Sequence, residues 1–280
     1  MSVIGKAVEE YDKYARNWSN DASYYKKADL YVWMESQIQD YKNIIEIGCG
    51  TGASTEILLG NGHMVVAIEE NPSCLEATYL KLKNRYRVQK IKRSKLVDHG
   101  PRFGIKYSEI PTLKTDLDLL LIDGNISLDD PYLLGFLAKR NVDAVVCWLM
   151  GTDGYTRCHT VDEQNTGVFS PPEYRTFVHK RIYHLAADWL SEKGILHFVD
   201  RGLRSMDPAI MQIYLSNHKN LALPSRFVVS DESHLTIDYE PCEIISGVKM
   251  ISAQLDPSLS EAAAAPALHS IIAHLRQAGA

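Results

Sequence analysis

Glu46, Gly48, Gly50 and Gly52 form the most informative chemical spacing in this chain of 280 residues. They follow a short apolar run at 43–47 and precede a helical pattern that starts at Ala53. Glycines between a strand and a helix permit a tight turn and let the backbone approach a ligand closely. Two ligand chemistries compete for such a loop. Gly48-x-Gly50-x-x-Ala53 loosely satisfies a dinucleotide site. Glu46 opposes that reading, because a carboxylate there repels a pyrophosphate and attracts a positively charged amino group. Glu69 closes a second apolar run, about 20 residues beyond the loop, where a carboxylate accepts hydrogen bonds from ribose hydroxyls. Its neighbour Glu70 is expected to point away.

Residues 43–77, from Asn-Ile-Ile-Glu-Ile-Gly-Cys-Gly-Thr-Gly to Ile-Glu-Glu-Asn-Pro-Ser-Cys-Leu-Glu-Ala, resemble the first motifs of class I S-adenosylmethionine-dependent methyltransferases. The resemblance implies a Rossmann-like three-layer α/β sandwich with a mostly parallel seven-stranded sheet, its last strand pair antiparallel. It implies S-adenosylmethionine as cofactor, held by Glu46, Gly48, Cys49, Gly50 and Glu69. The segment Ile122-Asp123-Gly124-Asn125-Ile126 resembles the family's adenine-contacting stretch after the third strand, with Asn125 in the usual position and Asp123 as its rival. Trp148, at the end of the expected fourth strand, reads as a wall of the cofactor pocket or as core. Tyr11-Asp12-x-x-Ala15-x-x-Trp18 resembles the aromatic segment that small-molecule members fold over the methionine end, which brings in Tyr14. Aromatic faces attract a sulfonium as they attract other cations; the same aromatics also suit plain helix packing.

These residues need a scaffold, and the chain supplies alternating strand and helix signals. Residues 6–40 read as helical. Strands are expected at 43–48, 64–68, 117–122, 142–149 and 195–199, with later ones at 226–230 and 244–253. Helices are expected at 53–59, from Asn71-Pro72 onward, at 132–139, at 173–191 and from Asp207-Pro208 to about 217. The alternation predicts a mostly parallel sheet with ligands beyond the carboxyl ends of its strands. A hairpin insertion is expected within 85–115, with arms at 88–91 and 105–107. An alternative register makes 117–122 the fourth strand and places the third near Ile105. The expected organisation is an N-terminal helical cap (1–40), a catalytic domain (41–256) with insertions at 85–115 and 151–172, and a C-terminal helix (257–280) started by an alanine run.

Methyl transfer requires alignment of nucleophile, methyl and sulfur, and sometimes removal of a proton. His159 and Tyr174, in and after the polar loop that follows residue 150, are the candidates for base or substrate contact. No metal-ligand spacing is evident. The expected function is a methyltransferase acting at oxygen or nitrogen of a small molecule. One alternative is an enzyme that consumes S-adenosylmethionine without methylating, releasing methylthioadenosine by cyclisation or lysis. Another is an RNA methyltransferase using the basic segment Lys83–Lys95; a third is a non-catalytic binding protein. The net charge of −5 argues against a nucleic-acid partner. Five cysteines without a C-x-x-C pair, no signal-like apolar core and no long apolar run predict a cytoplasmic protein without a membrane span.

Overall fold

Strands with no polar face need cover on both sides. The apolar runs of this chain meet that need in a three-layer arrangement, seen in a computed structural model that describes residues 2–160, 170–205, 208–240 and 264–276. In chain order the elements are α1 (Val3–Lys27), α2 (Leu30–Ser36), β1 (Asn43–Ile47), α3 (Ala53–Gly60), β2 (Met64–Glu69), α4 (Pro72–Leu82) and β3 (Val88–Ile91). There follow β4 (Ser94–His99), β5 (Arg102–Tyr107), β6 (Leu119–Asp123), α5 (Pro131–Leu137), β7 (Val142–Trp148), α6 (Gly154–His159) and α7 (Pro171–Leu185). The described chain closes with β8 (Leu190–Ser205), α8 (Pro208–Ala222), β9 (Phe227–Val228), β10 (His234–Asp238) and β11 (Ala264–Leu275).

Among the described residues the main sheet has nine strands in the order β10-β11-β8-β7-β1-β2-β6-β3, with β9 also on β11. The strands from β8 to β3 run parallel, and β11 pairs antiparallel with β8, β9 and β10. One face packs under α5, α7 and α8 through Leu133, Val178, Ile182 and Leu215. The other lies under α1–α4 through Tyr25, Met34, Leu58 and Leu75. The expected Rossmann-like sandwich is thus observed, with nine strands rather than seven. No described helix is long and apolar enough to cross a membrane.

Several local expectations hold for identifiable reasons. Asn71 caps α4 by accepting from the Ser73 and Cys74 amides, with Pro72 in the first turn. Ser170 and Glu173 form a reciprocal capping box at the start of α7. Leu119–Asp123 lies parallel beside β2, which fixes it as the third strand from the sheet centre outward and removes the alternative register.

Others need correction. Val88–Ile91 is not a hairpin arm but an edge strand parallel to β6. The hairpin is β4–β5, turning at Gly100. The helix expected at 173–191 ends at Leu185, and Gly194 lies inside the long strand β8. The 151–172 loop contains α6; residues 161–169 lie outside the described residues, as do the strand expected at 244–253 and the Asp207 cap. The expected C-terminal helix is a strand: β11 runs between β8 and β10. The alanine run misled because alanine favours helices. Residues 267–273 are mostly apolar, include the β-branched pair Ile271-Ile272, and are largely buried, with the buried polar pair His269 and Ser270 hydrogen-bonded, which suits a central strand.

Candidate active site

The strand order reverses between β1 and β7, and a cleft opens beyond the carboxyl ends there, where such sheets bind ligands. Its empty volume is about 310 Å³, and Gly48, Glu69, Glu70, Asn125, Met150 and Tyr174 are among its lining residues. Ile47, Ile68, Ile126 and Val178 supply apolar walls.

The glycine loop forms the floor. Gly48, Gly50 and Gly52 all have positive φ, at 77°, 53° and 77°. Gly50 is also crowded: a Cβ there would lie 2.2 Å from Nε1 of Trp18. The indole of α1 therefore rests directly on the loop. α1 is held in that position by Asn71 Nδ2, which donates to the Tyr11 carbonyl at 3.1 Å, and by Ser73 Oγ, which donates to Asp12 at 2.5 Å. Tyr14 reaches Gly151, where an added Cβ would stand 3.2 Å from its hydroxyl.

Three carboxylates gather around this loop. Glu69 accepts from the Gly50 amide at 2.7 Å and the Asn71 amide at 2.9 Å. Burial pushes its pKa up to about 8. Glu70, expected to point away, lines the cleft instead. β2 ends at Glu69, so the strand alternation that predicted the outward direction no longer applies. Asn125 Nδ2 and the Tyr174 hydroxyl donate to Glu70, the latter at 3.1 Å, and burial raises its pKa to about 7. Glu46 is 1% exposed and accepts from the hydroxyls of Ser54 and Thr55 on α3. Its pKa rises to about 7, again through burial. None of the three makes an ion pair among the described residues. Buried carboxylates without a cation favour the protonated form. A positively charged ligand would reverse that.

The structure sorts the remaining expected residues. Gly124 and Asn125 line the cleft, and Asn125 also receives the Ser127 amide on its Oδ1. Cys49 is buried in the loop with its thiol facing Thr78, and burial raises its pKa. Asp123 does not line the cleft. One of its oxygens accepts from the Arg93 amide and from the amide and hydroxyl of Ser94, fastening the hairpin root. Trp148 belongs to the core; its indole donates to His197 at 3.1 Å, and the cofactor role assigned to it is not where the structure puts it. His159 lies outside the cleft, stacked 3.9 Å from the Tyr155 ring with Nδ1 near the Tyr155 carbonyl. Tyr174 lies in the cleft, but burial and Glu70 raise its pKa well above normal. Its hydroxyl donates to Glu70.

The basic segment is largely spent within the fold. Arg85 pairs with Glu56, Arg87 with Asp118 and Lys90 with Glu76. Arg93 is buried against Asp130.

No protein-family model matches the chain, and comparison with curated proteins gives no match. Among solved structures it is similar to the N-methyltransferase NodS of Bradyrhizobium japonicum WM9, bound to S-adenosyl-L-homocysteine. The two are 9% identical over 90% of this chain and 88% of that one, with a TM-score of 0.46. A putative methyltransferase of Bacillus halodurans C-125 gives 11% identity over 88% and 99%, at 0.45. A protein of Methanosarcina mazei described among S-adenosylmethionine-dependent methyltransferases gives 13% over 84% and 93%, at 0.41.

Proposed function

We propose that the chain binds S-adenosylmethionine in this cleft and transfers its methyl group to an oxygen or nitrogen of a small molecule. The observation that carries the reading is the gathering of Glu46, Glu69 and Glu70 around a left-handed glycine loop without a cationic partner. S-adenosylmethionine brings two positive charges, a sulfonium and an ammonium, together with a ribose and a planar base. A pyrophosphate-bearing nucleotide brings the wrong sign.

Each part of the ligand has a counterpart. The Glu69 oxygens each hold one backbone amide and retain a further lone pair for the ribose hydroxyls. Asn125 and Glu70 offer polar contacts to the edge of a base lying between Ile68 and Ile126. Glu46 acts by charge through the β1–α3 junction, since Ser54 and Thr55 occupy both of its oxygens. Trp18 sets its indole edge on Gly50 and Tyr14 its hydroxyl beside Gly151, so α1 serves as a cap at the methionine end. The protein then contributes alignment, with Tyr174 as a donor that positions Glu70. The described cysteines are all free, which fits the reducing cytoplasm.

Incubation with labelled S-adenosylmethionine and fractionated metabolite pools tests the proposal by product mass spectrometry. Acceptor-dependent S-adenosylhomocysteine is the expected product; none from any pool overturns the reading. The closeness of Trp18 to Gly50 favours one second reading, cleavage or cyclisation within an enclosed cofactor. Methylthioadenosine formed without acceptor identifies it. RNA as acceptor would show as retention that falls steeply with salt.

A further inference from the structure

A second group of ligand-type side chains meets on α7, outside the cleft. His179 on α7, Asp200 in β8 and His218 on α8 each present one donor atom, all within 4.8 Å of one another. Asp200 Oδ2 lies 3.7 Å from His179 Nδ1 and 4.0 Å from His218 Nε2. Both separations are too long for hydrogen bonds. A tetrahedral ion with nitrogen and oxygen ligands at about 2.0–2.1 Å holds those atoms roughly 3.4 Å apart. The two Asp200 separations thus exceed that spacing by about half an ångström, and all three atoms lie within 4.8 Å.

The surroundings are those of a ligand set rather than of a self-satisfied polar cluster. His179 Nε2 and Asp200 Oδ1, on the far sides of the atoms that face one another, are buried without hydrogen-bond partners, although buried polar groups normally find one. Arg175 Nε lies 3.4 Å from Asp200 Oδ1, while Oδ2 faces the imidazoles. The Tyr183 hydroxyl is 3.0 Å from His218 Nδ1 and fixes that ring with Nε2 toward Asp200. Metal-binding histidines are commonly oriented in this way by a partner on the other nitrogen. The Phe198 ring lies 4.7 Å from His179 and 5.1 Å from His218, giving the group an apolar wall.

We propose that His179, Asp200 and His218 bind one divalent transition-metal ion of the zinc class, tying α7 to β8 and α8. Two imidazoles and one carboxylate suit such a borderline ion better than calcium or magnesium, which prefer all-oxygen sets. The fourth position is left to water. His179 follows Val178, a wall of the cleft, so the ion would stiffen that wall from behind.

The experiment uses untagged full-length protein, stripped by chelator, then loaded with Zn²⁺ or Co²⁺ and dialysed. Elemental analysis is expected to give one equivalent per chain, a raised Tm, and Co²⁺ absorption typical of a low-coordinate site. Asp200→Asn should weaken Zn²⁺ binding by roughly 100-fold and Tyr183→Phe by about tenfold. Circular dichroism checks that each variant is folded. Tyr183→Phe removes only a hydroxyl, so it keeps the test decisive if Asp200→Asn fails to fold. Substoichiometric metal in the wild type, or unchanged affinity in both variants, overturns the proposal. No S-adenosylmethionine is used, so the outcome is independent of the cleft's ligand.

Discussion

The carboxylate cleft and the imidazole cluster both gather groups that bind cations, but they are held differently: the cleft acids have no ion-pair partner among the described residues, whereas Asp200 of the cluster has Arg175 at 3.4 Å. At the cleft, Glu69 and Glu70 at the end of β2 and Glu46 near the end of β1 flank one loop, each held by amides or hydroxyls. In the cluster, His179, Asp200 and His218 come from three separated elements and face one another beyond hydrogen-bond reach. The cleft satisfies its acceptors with local donors and stays open, which suits a ligand that enters and leaves. The cluster leaves its atoms unpaired beside Phe198, which suits an occupant that stays. A charge deficit therefore identifies a ligand's sign, while the hydrogen bonds around it indicate how that ligand is held.

The largest expected effect comes from Gly50→Val. The new Cβ would overlap the Trp18 indole, and the residue would need a positive φ. Affinity for S-adenosylmethionine, measured by calorimetry, should fall on the order of 100-fold or more. Adding Trp18→Ala should recover part of it if the overlap is the cause; no recovery would leave backbone strain alone. Glu69→Gln comes next, with a loss of about 10- to 100-fold, the range for a hydrogen bond to a charged group. Unchanged affinity would remove Glu69 from the ribose site.

A pH series tests the missing cation directly. The raised pKa values of Glu69, about 8, and Glu70, about 7, mean that the ligand-free fold favours their protonated forms. The stability they contribute is complete below the ordinary value near 4.5 and is lost as pH rises toward 8. The Tm of the free protein should fall across that window. Affinity for S-adenosylmethionine should rise over its upper part, with proton release on binding; a flat profile would break the comparison between the two regions. Tyr174→Phe should raise the apparent Kd by about fivefold, the value of one hydrogen bond. Smallest of all, Arg87→Ala should leave Tm and activity unchanged within scatter, because its pair with Asp118 is exposed.

Sequence alone determined the glycine loop, the end of the second strand at Glu69 and the alternation of apolar strands with helices through the middle of the chain. These are local matters: a left-handed turn needs glycine, and a strand covered on both faces needs a continuous apolar run. Tertiary structure decided the rest. It turned Glu70 into the cleft just beyond the end of β2, and drew Asp123 away to fasten the hairpin root. It put Trp148 into the core against His197, and made a strand of the alanine-rich C-terminal segment by placing it between β8 and β10. It brought His179, Asp200 and His218 together although no spacing links them. Which way a side chain faces, and which distant group meets it, depends on where the elements pack, and residue type and spacing do not carry that information.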